Sequence, residues 1–149
     1  MEDLSHVDES GAVRMVDVGG KEPMRRRAIA RAEIRMAAET ARILRELPKG
    51  DALTTAQVAG IMAAKRTSDL IPLCHPLPLT NIEVTLEVRE TSVEIVSVVE
   101  TTAQTGVEME ALTAASVAAL TVYDMAKAVD KQMRIAEVAL IEKTKERVV

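Results

Sequence analysis

Alternating hydrophobic and polar residues predict four β-strands in this chain. The first covers residues 28–36, where small or apolar residues occupy every second position. Residues 82–88 alternate strictly, and the β-branched run 93–102 follows after a short polar turn, so these two segments predict a hairpin. Residues 138–142 are typical of a last strand.

Helical spacing predicts three helices between these strands. The first fits residues 37–47 and is ended by a Pro-Lys-Gly turn. Asp51 can cap a second helix that runs to about Arg66. The third begins near Glu110 and ends near Val129. Between the second helix and the hairpin, residues 71–78 hold three prolines and predict an irregular but stiff connector.

If the helix at 52–66 is set aside as an extra helix, the element order is β-α-β-β-α-β. This order predicts an α+β, ferredoxin-like antiparallel sheet with its helices on one face. Residues 1–27 show no sustained period and carry several glycines and a basic run, which indicates a flexible N-terminal arm. Residues 28–149 then form one domain, as expected for 149 residues with 48% hydrophobic content.

Composition argues against several classes of function. The net charge is −4 and Tyr123 is the only aromatic residue, so neither charge nor stacking favours nucleic acid. No apolar run approaches the roughly 20 residues of a membrane span, and residues 1–11 do not resemble a secretion signal, so we expect a cytoplasmic protein. One cysteine and two histidines supply neither a disulfide nor an ordinary zinc cluster.

The third helix is unusual because residues 111–123 carry no charge and are apolar on nearly every side. Such a helix is buried all round, yet a four-stranded sheet covers only one side of it. We therefore expect a second copy of the chain to cover the rest, which makes the protein a homo-oligomer. The alternative is that the N-terminal arm of the same chain covers this helix.

Charged residues bracket this apolar run, with Glu108 and Glu110 at its start and Asp124 and Lys127 at its end. Roughly 14 residues at about 1.5 Å each place Glu110 and Asp124 roughly 21 Å apart. One small substrate cannot touch both, so a shared site would need one helix start beside the helix end of another chain. Alternatively, the two glutamates complement the helix dipole, and Asp124 and Lys127 form an ordinary ion pair.

The connector holds His75 between Cys74 and Pro76, so proline restricts the backbone that aims the imidazole. This arrangement suits substrate orientation or proton transfer, or a hydrogen-bonded structural histidine. Cys74 lacks the surroundings of a nucleophile and fits a small buried residue better.

Scattered cations suggest a polyphosphate ligand, because arginine and lysine are the usual partners of phosphate. They lie on the arm, in the Pro-Lys-Gly turn and at the end of the second helix: Lys21, Arg25, Arg26, Lys49, Lys65 and Arg66. The chain lacks a Gly-x-x-x-x-Gly-Lys loop, so it would not hold a nucleotide as P-loop proteins do. Solvated surface charge is the alternative role for these cations.

Together these segments resemble the MoaC family, the cyclic pyranopterin monophosphate synthases of molybdenum cofactor (molybdopterin) biosynthesis. The resemblance covers nearly the whole chain in order, in the stretches Met15-Val16-Asp17-Val18, Lys49-Gly50-Asp51, Ala59 to Thr67, Leu70 to Leu77, Thr105 to Thr113, and Tyr123 to Ala128.

The resemblance implies a phosphorus-oxygen lyase that converts 3′,8-cyclo-7,8-dihydro-GTP to cyclic pyranopterin monophosphate, a pterin, and releases pyrophosphate. It also implies a ferredoxin-like fold and a homohexamer, a trimer of dimers with sites between subunits. By the family pattern Asp124 is catalytic, with Lys127 and Lys49 beside it. The implied substrate-binding residues are Lys21, Arg26, Lys65, Leu73, Cys74, His75, Glu108, Met109 and Glu110.

Two departures from the family pattern concern the site. Ala126 stands where many relatives have cysteine, which suggests that this thiol is dispensable. Residues 144–149 replace a common glycine-rich, lysine-containing tail. We expect no resident metal or cofactor, although Mg²⁺ could arrive with the triphosphate. The alternative function is a non-catalytic ferredoxin-like module that binds a small ligand or a regulatory partner.

Overall fold

The computed structural model describes residues 6–148. In chain order its elements are β1 (Met24–Arg35), α1 (Ala38–Arg42), α2 (Ala52–Lys65), α3 (Thr67–Leu70), β2 (Leu79–Val88), β3 (Ser92–Ala103), α4 (Glu108–Ala126) and β4 (Arg134–Arg147). None of these helices is long and apolar enough to cross a membrane.

The four strands form one antiparallel sheet in the order β2-β3-β1-β4, which confirms the predicted ferredoxin-like α+β fold. Val84 of β2 and Ser97 of β3 are paired in register, so their side chains share one face. On that face Val84 lies against Gly60 of α2, and the Ser97 hydroxyl donates a hydrogen bond of 2.6 Å to the Ala111 carbonyl of α4. Both long helices therefore cover the same face.

The assignment of the extra helix was wrong. The helix predicted at 37–47 is only Ala38–Arg42, whereas α2 is a full helix that packs beside α4 and against β2. Two properties favour α2: Asp51 caps it by accepting hydrogen bonds from two backbone N–H groups, and its buried side is made of alanines, Leu53 and Gly60. A Cβ at Gly60 would lie 3.0 Å from the Ala114 carbonyl oxygen, so the two helices are in close contact.

All four strands extend beyond their predicted limits, and the first and last strands extend furthest. β1 begins at Met24, so residues 24–27, assigned to the arm, are strand, and β4 covers residues 134–147 instead of 138–142. Because β1 pairs with β3 on one side and β4 on the other, backbone hydrogen bonds extend all three strands through charged segments that lack a hydrophobic period. The flexibility of the remaining arm stays a prediction.

One side of α4 is buried within its own chain, and the opposite side is exposed. Ala114, Ala115, Ala118 and Ala119 are fully buried, whereas Leu120 is 55% exposed. The described part of the arm contacts the start of α4 and leaves Leu120 uncovered. The described part of the arm therefore does not cover the whole apolar helix.

Candidate active site

The predicted site residues form two groups at opposite ends of α4. Asp124, Lys127 and Lys49 lie at the C-terminal end, and the other predicted residues surround the N-terminal end. Helix geometry separates the two groups by roughly 21 Å, so one small molecule cannot contact both within a single chain.

At the C-terminal end of α4, the carboxylate of Asp124 lies between two ammonium groups. The Nζ atom of Lys127 is 2.9 Å from Oδ1, and the Nζ atom of Lys49 is 3.1 Å from Oδ2. Each side chain is about half exposed, so a ligand has access to all three groups. The predicted pairing of Asp124 with Lys127 on one helix is confirmed, and Lys49 joins it from a distant part of the chain.

A tight turn positions Lys49. Leu47 and Gly50 form an isolated antiparallel bridge, and Gly50 has a φ of 113°, a conformation that favours glycine. Immediately after the turn, Asp51 caps α2 and accepts a hydrogen bond of 2.8 Å from the Arg45 guanidinium. Both sides of the turn are thereby anchored, which directs Lys49 toward Asp124.

The opposite charges of this group stabilise one another in their charged forms. Hydrogen bonds from Lys127 and then from Lys49 lower the pKa of Asp124 below its usual value. The same contact with Asp124 raises the pKa of Lys127. At neutral pH Asp124 is therefore an ionised proton acceptor and Lys127 a protonated donor.

At the N-terminal end of α4 there is a cleft with a volume of about 340 Å³. The arm, the proline-rich connector and the first turn of α4 form its walls. Its predicted lining residues are Lys21, Leu73, Cys74, His75, Glu108, Met109 and Glu110. The cleft thus brings together seven predicted residues from three separate segments.

Glu110 is the most buried charged group of this cleft, with a relative exposure of 4%. Burial raises the pKa of its carboxyl group, and the nearby Glu108 raises it further, while its own backbone N–H partly offsets these effects. Burial and the charge of Glu110 also raise the pKa of the Cys74 thiol. Cys74 is therefore a neutral thiol at neutral pH, which argues against a nucleophile, but it is only partly buried and so does not match the predicted small buried residue.

Lys65 and Arg26 lie in recesses that adjoin this cleft. Lys65 is the last residue of α2 and lines a small recess together with His75 and Glu110. Arg26 lies in a cavity of about 280 Å³ beside Glu108, and its guanidinium donates hydrogen bonds to the carbonyl oxygens of Ala103 and Gln104. Both residues are thus near the start of α4, as a common substrate-binding region requires.

Two residues of this region were missed from the sequence. His6 lines the cleft from the arm, and Lys143 of β4 lies with its Nζ atom 3.8 Å from Glu108. Lys143 lay just beyond the predicted end of the last strand, and recognition of the longer strand would have placed it opposite Ala28 of β1. His6 carried no periodic signal, because it belongs to an irregular segment.

The two departures from the family pattern lie in ordinary structural positions. Ala126 ends α4 and is fully buried in the core. Residues 144–147 of the replaced tail form the end of β4, where Thr144 and Lys145 line the cavity that contains Arg26, and residue 149 lies outside the described residues. Among the described residues no group of three His, Cys, Asp or Glu side chains could hold a metal ion.

Known proteins match nearly the whole length of this chain. The MoaC family model matches residues 15–146. A cyclic pyranopterin monophosphate synthase of Roseiflexus sp. (strain RS-1) is 57% identical over 148 residues, which cover 97% of this chain and 94% of the relative. Synthases of the same name from Heliobacterium modesticaldum and Streptomyces avermitilis are 57% and 56% identical, covering 97% and 95% of this chain and 93% and 84% of the relatives.

Proposed function

This chain belongs to the MoaC family, and we propose that it acts as a cyclic pyranopterin monophosphate synthase with Asp124 as its catalytic residue. It converts 3′,8-cyclo-7,8-dihydro-GTP to cyclic pyranopterin monophosphate and pyrophosphate in molybdenum cofactor biosynthesis, and it is a lyase. The observation that carries the role of Asp124 is its position between Lys49 and Lys127.

The charges of the Asp124 group suit the phosphoryl part of this reaction. A sugar hydroxyl gives up its proton and attacks the α-phosphorus, and the bond from that phosphorus to the bridging oxygen breaks as pyrophosphate leaves. An ionised Asp124 can accept the proton of a hydroxyl group. Lys49 and Lys127 stabilise the negative charge that develops on the leaving pyrophosphate.

The cleft at the other end of α4 suits the binding of the nucleotide. Lys21, Arg26 and Lys65 supply positive charge for phosphate groups. Glu108 and Glu110 offer acceptors to the N–H donors of a guanine-derived ring, and the imidazole nitrogens of His75 offer further hydrogen-bonding atoms. Leu73, Cys74 and Met109 add an apolar wall for the ring.

Both groups act on one substrate if the active site lies between two chains. The cleft of one subunit then faces the Asp124 group of a neighbour, which overcomes the separation of roughly 21 Å. Leu120 and Tyr123, on the exposed side of the same helix, give the subunits an apolar surface for association. We propose the homohexamer of the family, a trimer of dimers, for this chain.

On this proposal the enzyme needs no resident metal, because Lys49 and Lys127 already supply positive charge beside Asp124. Any Mg²⁺ would arrive on the triphosphate of the substrate. Its nucleotide-derived substrate also favours a cytoplasmic location.

Turnover of the cyclised nucleotide tests this function. Purified protein is incubated with 3′,8-cyclo-7,8-dihydro-GTP, and released pyrophosphate and the fluorescent pterin formed on oxidation are measured. We expect both products from the wild type and a loss of about 10²- to 10⁴-fold in kcat for Asp124→Asn, the range for an acid–base group.

The matched control is Asp69→Asn, which makes the same change in an exposed residue of α3 outside both groups and should leave kcat unchanged. A folded, oligomeric wild type that releases neither product would contradict the function and favour the non-catalytic module. Full activity of Asp124→Asn would contradict the catalytic role alone.

A further inference from the structure

The N-terminal arm brings a second imidazole into the substrate cleft. His6 lines the same cavity as His75, Lys21 and Glu110, although it precedes the first strand by many residues. Its side chain is exposed to solvent on the cleft side of the arm. None of the roles described above uses this residue.

Backbone pairing holds His6 within a local loop of the arm. Val7 and Val13 form an antiparallel bridge, and the backbone N–H of Arg14 donates a hydrogen bond of 2.8 Å to the carbonyl of His6. His6 and Arg14 therefore form the paired base of a closed loop, and the imidazole projects from this paired base.

The tip of the loop is held by Asp8. One of its carboxylate oxygens, Oδ1, accepts hydrogen bonds of 2.9 Å from the backbone N–H groups of Ser10 and Ala12. Gly11 has a φ of 86°, which only glycine adopts readily. The hydrogen bond of 2.6 Å from the Ser10 hydroxyl and that from the backbone N–H of Ala12 lower the pKa of Asp8, so the loop keeps its hydrogen bonds throughout the neutral range.

One hydrogen bond orients the imidazole. Nδ1 of His6 lies 3.2 Å from the carbonyl oxygen of Arg14. A carbonyl oxygen can only accept, so Nδ1 carries the proton and Nε2 has no partner in this contact. The ring thus presents Nε2 as a hydrogen-bond acceptor.

We propose that Nε2 of His6 hydrogen-bonds to the nucleotide in the cleft, so that the arm supplies a substrate-binding residue. This inference rests on the proposed function, because it takes the nucleotide as the ligand of the cleft. The titratable groups that face the imidazole there are Lys21 on the arm, Cys74 and His75 on the connector, and Glu108 and Glu110 on α4. The loop therefore adds a neutral or positive group to a cleft that already contains two carboxylates.

Two substitutions separate binding from structure. His6→Asn keeps an amide near the position of Nδ1, which can still donate to the Arg14 carbonyl, but has no atom at the position of Nε2. His6→Gln places an amide near Nε2 instead. If His6 binds substrate, the first variant loses affinity and the second regains most of it; if His6 only stabilises the loop, the second variant offers no rescue.

Affinity is measured by calorimetry with the cyclised nucleotide, in the protein that also carries Asp124→Asn so that turnover is slow during the measurement. We expect Kd to rise about tenfold or more for His6→Asn, the effect of one hydrogen bond to a charged group. Glu9→Gln is the matched control: it changes an exposed residue of the same loop and should leave Kd unchanged.

Equal affinity of His6→Asn and its parent would overturn the proposal, and so would equal losses in the Asn and Gln variants. Turnover by the protein with Asp124 intact is measured in parallel. If that protein is inactive but His6→Asn still weakens binding and Gln restores it, the enzyme function fails and the role of His6 stands.

Discussion

Replacement of Glu110 by glutamine should make the protein more stable and less active. Glu110 is 4% exposed at the start of α4, and burial raises the pKa of its carboxyl group. A raised pKa means that the folded state holds its proton more strongly than the unfolded chain. Stability therefore falls as pH rises from the ordinary value of 4.5 through the folded pKa.

The size of this effect follows from the charge that is removed. Burial of a polar or charged group without full compensation costs on the order of 1–3 kcal/mol. The backbone N–H of Glu110 offsets part of this cost, so we expect Glu110→Gln to add about 1 kcal/mol to the free energy of unfolding at pH 7.5. The gain should vanish below about pH 4.5, where both states of the wild type are protonated.

Chemical denaturation at pH 7.5 and pH 4 measures this difference, at one protein concentration because an oligomer's stability depends on it. Glu108→Gln is the matched control, since Glu108 lies on the same helical turn but has a side chain that is 33% exposed. Its effect on stability should be much smaller. Substrate turnover by Glu110→Gln should also fall, because the guanine-derived ring of the substrate loses a charged hydrogen-bond acceptor.

A loss of stability in Glu110→Gln at pH 7.5 would refute this reasoning, because the carboxylate would then be stabilised by a charge rather than strained by burial. A gain of equal size at both pH values would also refute it, because the effect would not come from ionisation.

Two further substitutions test the packing and the loop that position the site. Gly60→Ala places a methyl group 3.0 Å from the Ala114 carbonyl oxygen and should lower the free energy of unfolding by about 1–3 kcal/mol, as measured by chemical denaturation. Gly20→Ala is the control, because Gly20 has open space around it and its substitution should be nearly neutral in the same assay. Asp51→Ala removes the cap of α2 and the partner of Arg45, so both the melting temperature and kcat should fall. Asp51→Asn should keep the melting temperature closer to that of the wild type, because asparagine also caps helices. Equal losses of melting temperature in both variants would contradict the capping role.

The hydrophobic pattern was sufficient for the order of the strands and for the long helices. Period-two alternation in residues 82–88 and the cap at Asp51 depend on neighbours in sequence, so they can be read without a structure. Which helix packs beside α4 could not be read this way. That choice depends on contact between the small faces of α2 and α4, which are far apart in the chain.

The candidate site also combines features that the sequence determines with features that depend on tertiary contacts. The sequence supplied the residue types and the spacing of Glu110 and Asp124, and helix rise alone showed that they lie too far apart for one substrate. The family resemblance implied that Lys49 lies beside Asp124, but only the tertiary structure shows the contact that brings them together, and only it brings His6 to the cleft. The physical reason is that residues on one helix are related by a fixed rise and rotation, whereas contacts between distant segments depend on how loops close and how helices and sheet pack.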